Sequence, residues 1–289
     1  MHGFKYLEPA GVEEACSMLS KHKGKAHILA GGQSLVVLLK TRVARPDYIV
    51  NIKNLKELDY IRDDGKSVKI GALTTHRTLE TSPLIIERFP VLVEAEHKLA
   101  HRQIRNWGTV GGDLCHADPA ADISPPLIVL KGKAKALSVR GEREIPLDEF
   151  FVDYFATALE EDEILVEIEV PYISPYSAAA YRKETIISGD YPIVSVAAAI
   201  GLDKKRETIK EACIVLGAVG TTPIIAKEAG QAITGKIANS EAVEQAGDIA
   251  SSEAQPTSDI LGSEEYKRKL AGVLTKEIVN LAIERARKA

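Results

Sequence analysis

The stretch Thr109-Val-Gly-Gly-Asp-Leu-Cys-His-Ala-Asp-Pro-Ala-Ala-Asp122 organises this sequence, because it combines a glycine pair with acidic residues and a proline. Paired glycines let a backbone turn with positive φ, or approach a ligand closely, where a side chain would block it. Pro119, together with Pro125 and Pro126, prevents a long regular element from running through this region. The pattern predicts a large loop over residues 105–122. Alone, it would indicate only a turn between two core elements.

A second glycine pair lies earlier in the chain, in Ala30-Gly-Gly-Gln-Ser34. It follows a short apolar run that is predicted to be a strand, and it precedes Leu35–Lys40, which is predicted to be a buried helix. A strand, a glycine turn and a helix start present unpaired backbone N–H groups to an anion such as phosphate. The sequence contains neither a G-x-G-x-x-G motif nor a Walker loop. Two such motifs fit a diphosphate held from two sides, and two structural turns are the alternative.

Together the two motifs resemble the FAD-binding medium subunit of molybdenum hydroxylases, a family that includes carbon monoxide dehydrogenase medium chains and the flavin parts of xanthine dehydrogenase-like enzymes. The resemblance continues at Tyr181-Arg-Lys183 and Gly189-Asp-Tyr191 and covers essentially the whole chain. It implies an oxidoreductase subunit that carries FAD. It does not identify the organic substrate of the complex.

The fold that this resemblance implies is α+β, with a two-part FAD-binding domain of the PCMH type followed by an α+β C-terminal domain. That C-terminal domain is expected to contain a three-stranded antiparallel sheet and a helix bundle. The pattern of apolar residues and turn signals divides the chain into segments 1–55, 56–174 and 175–289. In the last segment, three strand-like runs precede three predicted helices, at about 223–234, 240–253 and 263–287.

Composition narrows the class of protein further. The chain has 289 residues, 45% of them hydrophobic, and a net charge of −4, which gives no electrostatic case for binding nucleic acid or an anionic membrane. No apolar run approaches the length of a membrane span, and the N-terminus has no signal-peptide pattern, so a cytoplasmic protein is expected. Cys16, Cys115 and Cys213 are far apart and form no C-x-x-C motif. Any iron–sulfur cluster must therefore lie on another polypeptide.

The resemblance assigns cofactor-binding roles to residues of both motifs and of the third segment, and it assigns neither a catalytic residue nor a metal ligand to this chain. The first motif and the N–H groups of Gln33 and Ser34 are expected to hold one side of the FAD diphosphate, although Ser34 could instead only cap a helix. The second motif is expected to hold the other side. The predicted cofactor-binding residues are Ala30, Gly31, Gly32, Gln33, Ser34, Thr109, Gly111, Gly112, Asp113, Asp122, Lys183 and Tyr191.

Two aspartates of the second motif have separate expectations. Asp122 is predicted to accept a hydrogen bond from a ribose or ribityl hydroxyl, with an N-cap of the following helix as the alternative. Asp113 stands where the family often has asparagine. Because a carboxylate close to a phosphate is repelled, Asp113 is expected to face a sugar hydroxyl or a loop N–H.

Lys183 and Tyr191 are expected to approach the flavin ring. A lysine ammonium near the N1–C2 edge would stabilise the anionic reduced flavin, and a tyrosine could stack on the ring. Judged by residue type alone, Lys183 would be a solvated strand residue. The family often has arginine shortly before its Gly-Asp pair, whereas Ile186, Ile187 and Ser188 occupy that stretch here.

The histidines and the single tryptophan are further candidates for functional residues. His97 and His101 are four residues apart on a helix predicted over residues 90–101, as two metal ligands could be, and His116 could be a third. No H-E-x-x-H pattern supports such a site, so none is predicted. Trp107 is expected to pack in the core, with the flavin loop or a subunit interface as alternatives.

These expectations define a function. Reduced [2Fe-2S] centres of a small partner subunit would pass electrons through the FAD of this chain to an external acceptor. A large partner subunit would carry the molybdopterin, and the complex would be a dimer of heterotrimers. The alternatives are a stand-alone FAD oxidoreductase of the same fold and a scaffold protein that has lost its flavin.

Overall fold

The computed structural model describes residues 3–289 and begins with a small parallel sheet. The strands β1 and β2 both pair with β3 in parallel, so β3 lies in the middle. The elements of this first part are β1 (Lys5–Leu7), α1 (Val12–Lys21), β2 (Ala26–Leu29), α2 (Leu35–Lys40) and β3 (Tyr48–Asn51). A 3-10 turn, Lys56–Leu58, follows them.

The helix α1 forms as its sequence predicts, because Val12, Ala15, Cys16 and Leu19 recur at helical spacing and are all buried. The helix α2 has the predicted bounds but is not a buried helix, since only its Leu39 is buried and its Val37 is 54% exposed. Leu35, Val36 and Leu38 are only half-buried, because a helix of six residues packs with little of its surface against the rest of the protein. The prediction of burial was therefore wrong, although the prediction of the element was right.

The second part contains a five-stranded antiparallel sheet in the order β4-β5-β10-β6-β7 and a separate two-stranded hairpin, β8-β9. Its strands are β4 (Ile61–Asp63), β5 (Ser67–Gly71), β6 (Lys133–Ser138), β7 (Gly141–Pro146), β8 (Phe151–Asp153), β9 (Ala156–Thr157) and β10 (Ile164–Pro171). Its helices are α3 (His76–Thr81), α4 (Pro83–Arg88), α5 (Pro90–Lys98), α6 (Arg102–Arg105), α7 (Val110–His116), α8 (Ser124–Val129) and α9 (Leu147–Phe150).

The second glycine motif is helical, which corrects the predicted loop over residues 105–122. The helix α7 begins after Thr109, whose side chain accepts a hydrogen bond from Gly112 N at 3.1 Å. It ends at Ala117, which adopts a left-handed conformation with φ 51° before Pro119. Buried Val110 and Leu114 attach this helix to the core of the second part.

The third part is an antiparallel sheet, β11-β12-β13-β14, with three helices on one face. The three predicted strands are present, and a two-residue fourth strand lies where the sequence analysis began a helix. Its strands are β11 (Ser177–Glu184), β12 (Val194–Leu202), β13 (Ile209–Gly217) and β14 (Ile224–Ile225), and its helices are α10 (Lys227–Ile233), α11 (Ser240–Glu253) and α12 (Glu264–Ala286).

The third sheet is buried on both faces, and this brings β11 next to the second glycine motif. One face packs on α10 to α12, whereas Tyr181, Ala197 and Val215 on the other face belong to the core cluster of the second part. Ala218 N also donates a hydrogen bond to Pro119 O at 2.9 Å. Among residues 3–289, no helix is both long and apolar enough to cross a membrane.

Candidate cofactor-binding site

The two glycine motifs, far apart in sequence, meet in the structure. A Cβ placed on Gly31 would lie 2.1 Å from Trp107 O and 2.9 Å from Gly108 Cα. A Cβ placed on Gly112 would lie 3.8 Å from the Cβ of Ala30. Position 31 therefore requires glycine, because the backbone before the second motif occupies the space of a side chain.

The first motif has unused hydrogen-bond donors. Within the described residues, none of the backbone N–H groups of residues 31–34 donates to a protein acceptor. The Gln33 side chain donates to Gly31 O at 3.2 Å, and Ser34 precedes α2 without a side-chain capping bond. Capping therefore does not explain the Ser34 hydroxyl. The motif offers several donors to an anion, which is the property that the sequence analysis predicted for it.

In the second motif, by contrast, the backbone N–H groups are already paired. Val110 N donates to Thr74 O at 2.9 Å, and Gly111 N donates to Ala72 O at 3.0 Å. Gly112 N and Asp113 N both donate to Thr109, to its side-chain and backbone oxygens respectively. This motif can therefore offer a ligand the Thr109 hydroxyl hydrogen and close approach to a glycine, rather than free N–H groups.

Gly111 has a packing role that is independent of any ligand. A Cβ at this position would lie 2.6 Å from the Ala72 Cβ and 2.7 Å from Ala72 O. The backbone of α7 thus lies directly on the chain that leaves β5. Contact of Gly111 with a cofactor stays a prediction.

Asp122, Tyr181 and Lys183 form a buried polar cluster. The Tyr181 hydroxyl donates to Asp122 Oδ1 at 2.6 Å, and the Lys183 ammonium donates to Asp122 Oδ2 at 2.7 Å and to Asp190 O at 2.8 Å. Burial raises the pKa of Asp122, while the Lys183 ammonium acts against that increase. Asp122 does not cap α8, and Lys183 is only 6% exposed, so the alternative interpretations of both residues were wrong.

The segment that leads to Tyr191 lies against the residues that precede α6. Gly189 packs on Ala100 O and the His101 ring, which a Cβ at position 189 would approach to 3.1 and 3.2 Å. Ile186, Ile187 and Tyr191 on either side are exposed. The Tyr191 side chain is therefore accessible, and its approach to a flavin stays a prediction.

Two buried residues near the second motif escaped the sequence analysis. His76 Nδ1 lies 2.9 Å from Glu96 Oε1, and His76 Nε2 lies 3.9 Å from Asp113 Oδ2. Burial alone would lower the pKa of His76, but the carboxylate of Glu96 raises it to about 9. A signal was present in the sequence, since Glu96 follows Leu92 and Ala95 on the apolar face of α5. A carboxylate at such a position needs a buried partner.

The histidine pattern does not form a metal site. Because α5 ends at Lys98 and His101 precedes α6, His97 and His101 do not share a helix, which corrects the prediction of one helix over residues 90–101. His97 Nε2 instead lies 3.3 Å from Glu80 Oε1. The described residues include no group of three or more His, Cys, Asp or Glu that could hold a metal ion.

Trp107 does not pack in the core, although core packing was the favoured prediction. It is 53% exposed, and the ammonium of Lys53 lies 3.7 Å from the centre of its ring. Its backbone carbonyl is the group that contacts Gly31. The residue therefore contributes to the junction of the two motifs through its main chain.

Comparison with known proteins matches the chain over nearly its whole length. The family model described as the FAD binding domain in molybdopterin dehydrogenase matches residues 2–173, and that of the CO dehydrogenase flavoprotein C-terminal domain matches residues 177–282. The carbon monoxide dehydrogenase medium chain of Hydrogenophaga pseudoflava is 34% identical over 96% of both chains. Subunit alpha of the 6-hydroxypseudooxynicotine dehydrogenase complex of Paenarthrobacter nicotinovorans is 36% identical over 98% of this chain and 96% of its own.

A solved structure agrees with these sequence matches. A chain of carbon monoxide dehydrogenase from Hydrogenophaga pseudoflava, in a form that lacks the Mo-pyranopterin moiety of the molybdenum cofactor, superposes with a TM-score of 0.94. It is 35% identical to this chain, and the alignment covers 98% of each. The PCMH-type FAD-binding domain and the C-terminal flavoprotein domain that the sequence predicted are thereby confirmed.

Proposed function

Since this chain belongs to the family of FAD-binding medium subunits of molybdenum hydroxylases, we propose that it passes electrons from the [2Fe-2S] clusters of a partner subunit, through its FAD, to an external acceptor. The chain is thus an oxidoreductase subunit, and molybdopterin and iron–sulfur clusters belong to other subunits of such complexes. When bound, FAD supplies the capacity to accept electrons singly and to release them in pairs.

The single observation that carries this proposal is the row of unused donors in the first motif. The N–H groups of residues 31–34 have no acceptor among residues 3–289, and successive free backbone N–H groups at a turn form a concavity that binds anions. A diphosphate would supply those acceptors. Ala30 and the Ser34 hydroxyl complete this side of the site.

Residues of the second motif and of β11 would hold the rest of the cofactor. The Thr109 hydroxyl keeps its hydrogen free to donate, because its oxygen accepts from Gly112 N. The Lys183 ammonium has a third hydrogen beyond those given to Asp122 and Asp190, and we assign that hydrogen to the flavin ring. Asp122 acts through Lys183 by fixing its position and charge. Tyr191 would cover the ring from the exposed side.

Two observations support the partner assignments, namely the lack of a cysteine cluster site and the exposed isoleucines beside Gly189. Its cysteines lie on three separate elements, with Cys16 on α1, Cys115 on α7 and Cys213 on β13, so they offer no shared cluster site. Ile186 and Ile187 are 67% and 63% exposed beside the predicted flavin position. Exposed apolar groups of this kind favour coverage by another protein. The proposed partners are a large molybdopterin subunit and a small [2Fe-2S] subunit, assembled as a dimer of heterotrimers.

Ser34→Asp tests the assignment of the first motif. A carboxylate at this position would repel the diphosphate from its donors, whereas α2 would keep an N-cap residue of a favoured type. We expect the affinity for added FAD, measured by quenching of flavin fluorescence, to fall by about tenfold or more. Ser34→Asn is the uncharged control and should retain most of the affinity.

The outcome also separates the alternative functions. If the wild-type chain binds no FAD, the scaffold interpretation replaces the proposal. If Ser34→Asp and wild type bind FAD equally, the diphosphate lies elsewhere. Turnover of an organic substrate by the isolated chain would favour a stand-alone oxidoreductase.

A further inference from the structure

We propose that His76 is a positioning residue of the FAD site, a buried imidazolium that Glu96 anchors and that compensates the charge of Asp113 beside the diphosphate. In this arrangement Asp113 binds a cofactor hydroxyl through its outer oxygen. The inference rests on the proposed function, since it requires FAD at the two glycine motifs.

The geometry forms a row of three side chains from three elements. Glu96 on α5 is fully buried and is held 2.9 Å from His76 Nδ1, at the start of α3. The other ring nitrogen faces Asp113 Oδ2 on α7 at 3.9 Å. His76 N also donates to Gly108 O at 3.0 Å, so the residue is attached to the segment that carries the second motif.

The two carboxylate oxygens of Asp113 have different surroundings. Its Oδ2 is buried and has no hydrogen-bond partner among the described residues. The side chain as a whole is nevertheless 22% exposed, which leaves the second oxygen accessible from the site. A separation of 3.9 Å is too long for a hydrogen bond but short enough for strong attraction between opposite charges at low dielectric. His76 therefore acts on Asp113 by charge.

The charge of Asp113 explains why a buried cation is needed beside it. A carboxylate next to Gly112 places a negative charge close to the proposed diphosphate, which would weaken binding unless a cation compensates it. The imidazolium of His76 is the buried cation that faces Asp113 directly. Glu96 stabilises the protonated form of that imidazole, which permits a carboxylate at position 113.

The charges around Asp113 determine how the site responds to pH. Burial, together with the carboxylates of Glu96, Asp122 and Asp118, raises the pKa of Asp113 to about 6, while His76 acts against that increase. Tyr191 also faces this group. With the pKa of His76 at about 9, the pair is ionised near pH 8. Loss of the imidazolium would raise the pKa of Asp113 again, so that this carboxyl would be neutral near pH 6.

A double-mutant cycle of His76→Gln and Asp113→Asn tests this inference. The amide of the His76→Gln side chain can still donate to Glu96, which limits structural damage. We expect His76→Gln to raise the Kd for FAD by about tenfold or more near pH 8. In the Asp113→Asn background the same substitution should change the Kd by less than about threefold, because no carboxylate remains to be compensated.

The pH dependence supplies a second readout that a structural role would not give. The effect of His76→Gln alone should largely disappear near pH 6, where the Asp113 carboxyl takes up a proton. Melting temperatures of all four proteins establish that each is folded. Equal losses of affinity in both backgrounds, or a loss that does not depend on pH, would overturn the inference. Failure of the wild type to bind FAD would refute the proposed function instead.

Discussion

At the scale of single residues, the neighbours Arg182 and Lys183 on β11 show how position decides the value of an ion pair. Lys183 and Asp122 have side chains that are 3% and 7% exposed, whereas Arg182 and its partner Glu277 are 48% and 46% exposed. The buried pair has two further hydrogen bonds, from Tyr181 to Asp122 and from Lys183 to Asp190. The exposed pair competes with water and salt for the same attraction.

Lys183→Ala should therefore destabilise the chain strongly. It leaves the Asp122 carboxylate buried without its cation, and loss of one partner of a buried pair costs about 3–5 kcal/mol. Arg182→Ala, the matched control one position earlier, should cost about 0–1 kcal/mol. Urea unfolding monitored by circular dichroism measures both changes. Equal losses in the two variants would show that the buried pair has no special role in stability.

The sequence predicted which residues belong to the proposed site, and these assignments stay predictions, but it did not predict how they are packed. Ser34 and Tyr191 could be proposed because a glycine motif and a family pattern mark them locally. The position of Lys183 in a buried cluster was not predictable by residue type, since it depends on how β11 packs against the second part. His76 and Glu96 are 20 residues apart and meet Asp113 only through tertiary packing.

At the scale of elements, tertiary contacts overrode local preference in α7. Two glycines and a following proline disfavour a helix, and they predict a loop. The Thr109 cap, the bonds from this segment to Ala72 and Thr74, and the burial of Leu114 stabilise a helix instead.

The strand β7 was not predicted because its sequence lacks an alternating apolar pattern. It lies at the edge of its sheet, and only its Ile145 is buried, so its other side chains are not required to be apolar.

The junction between the first motif and Trp107 gives a prediction for an element contact. Gly31→Ala would place a methyl group against a backbone carbonyl, which must then move. Overpacking of this kind lowers the free energy of unfolding by about 1–3 kcal/mol. It should also weaken FAD binding, because the added methyl group pushes the two glycine motifs apart.

Gly11→Ala is the matched control for that change. The nearest atom to a Cβ at position 11 is a Glu13 carboxylate oxygen at 3.6 Å, on a flexible side chain, and its φ of −160° suits any residue. Thermal unfolding and FAD titration of both variants provide the comparison. A Gly31→Ala protein as stable and as competent in FAD binding as Gly11→Ala would contradict this description of the junction.

At the scale of the whole molecule, elements from all three parts contribute residues to the proposed FAD site. The first sheet supplies the donors of residues 31–34, the second part supplies α7, and β11 of the third sheet supplies Lys183. The ends of elements with strong periodicity, such as α1 and β12, were predicted to within two residues.

We propose residues 1–55, 56–174 and 175–289 as the limits of the three structural units. How these units pack was not predictable from periodicity, because it depends on contacts between distant segments.

The most direct test of the central claim is the cofactor content of the complex purified under native conditions through an affinity tag on this chain. Flavin released by acid, molybdenum and iron are quantified against the amount of the chain. The account predicts FAD equimolar with the chain, accompanied by molybdenum and iron on co-purifying large and small subunits. A preparation that contains both partner subunits and their metals but no flavin would contradict it.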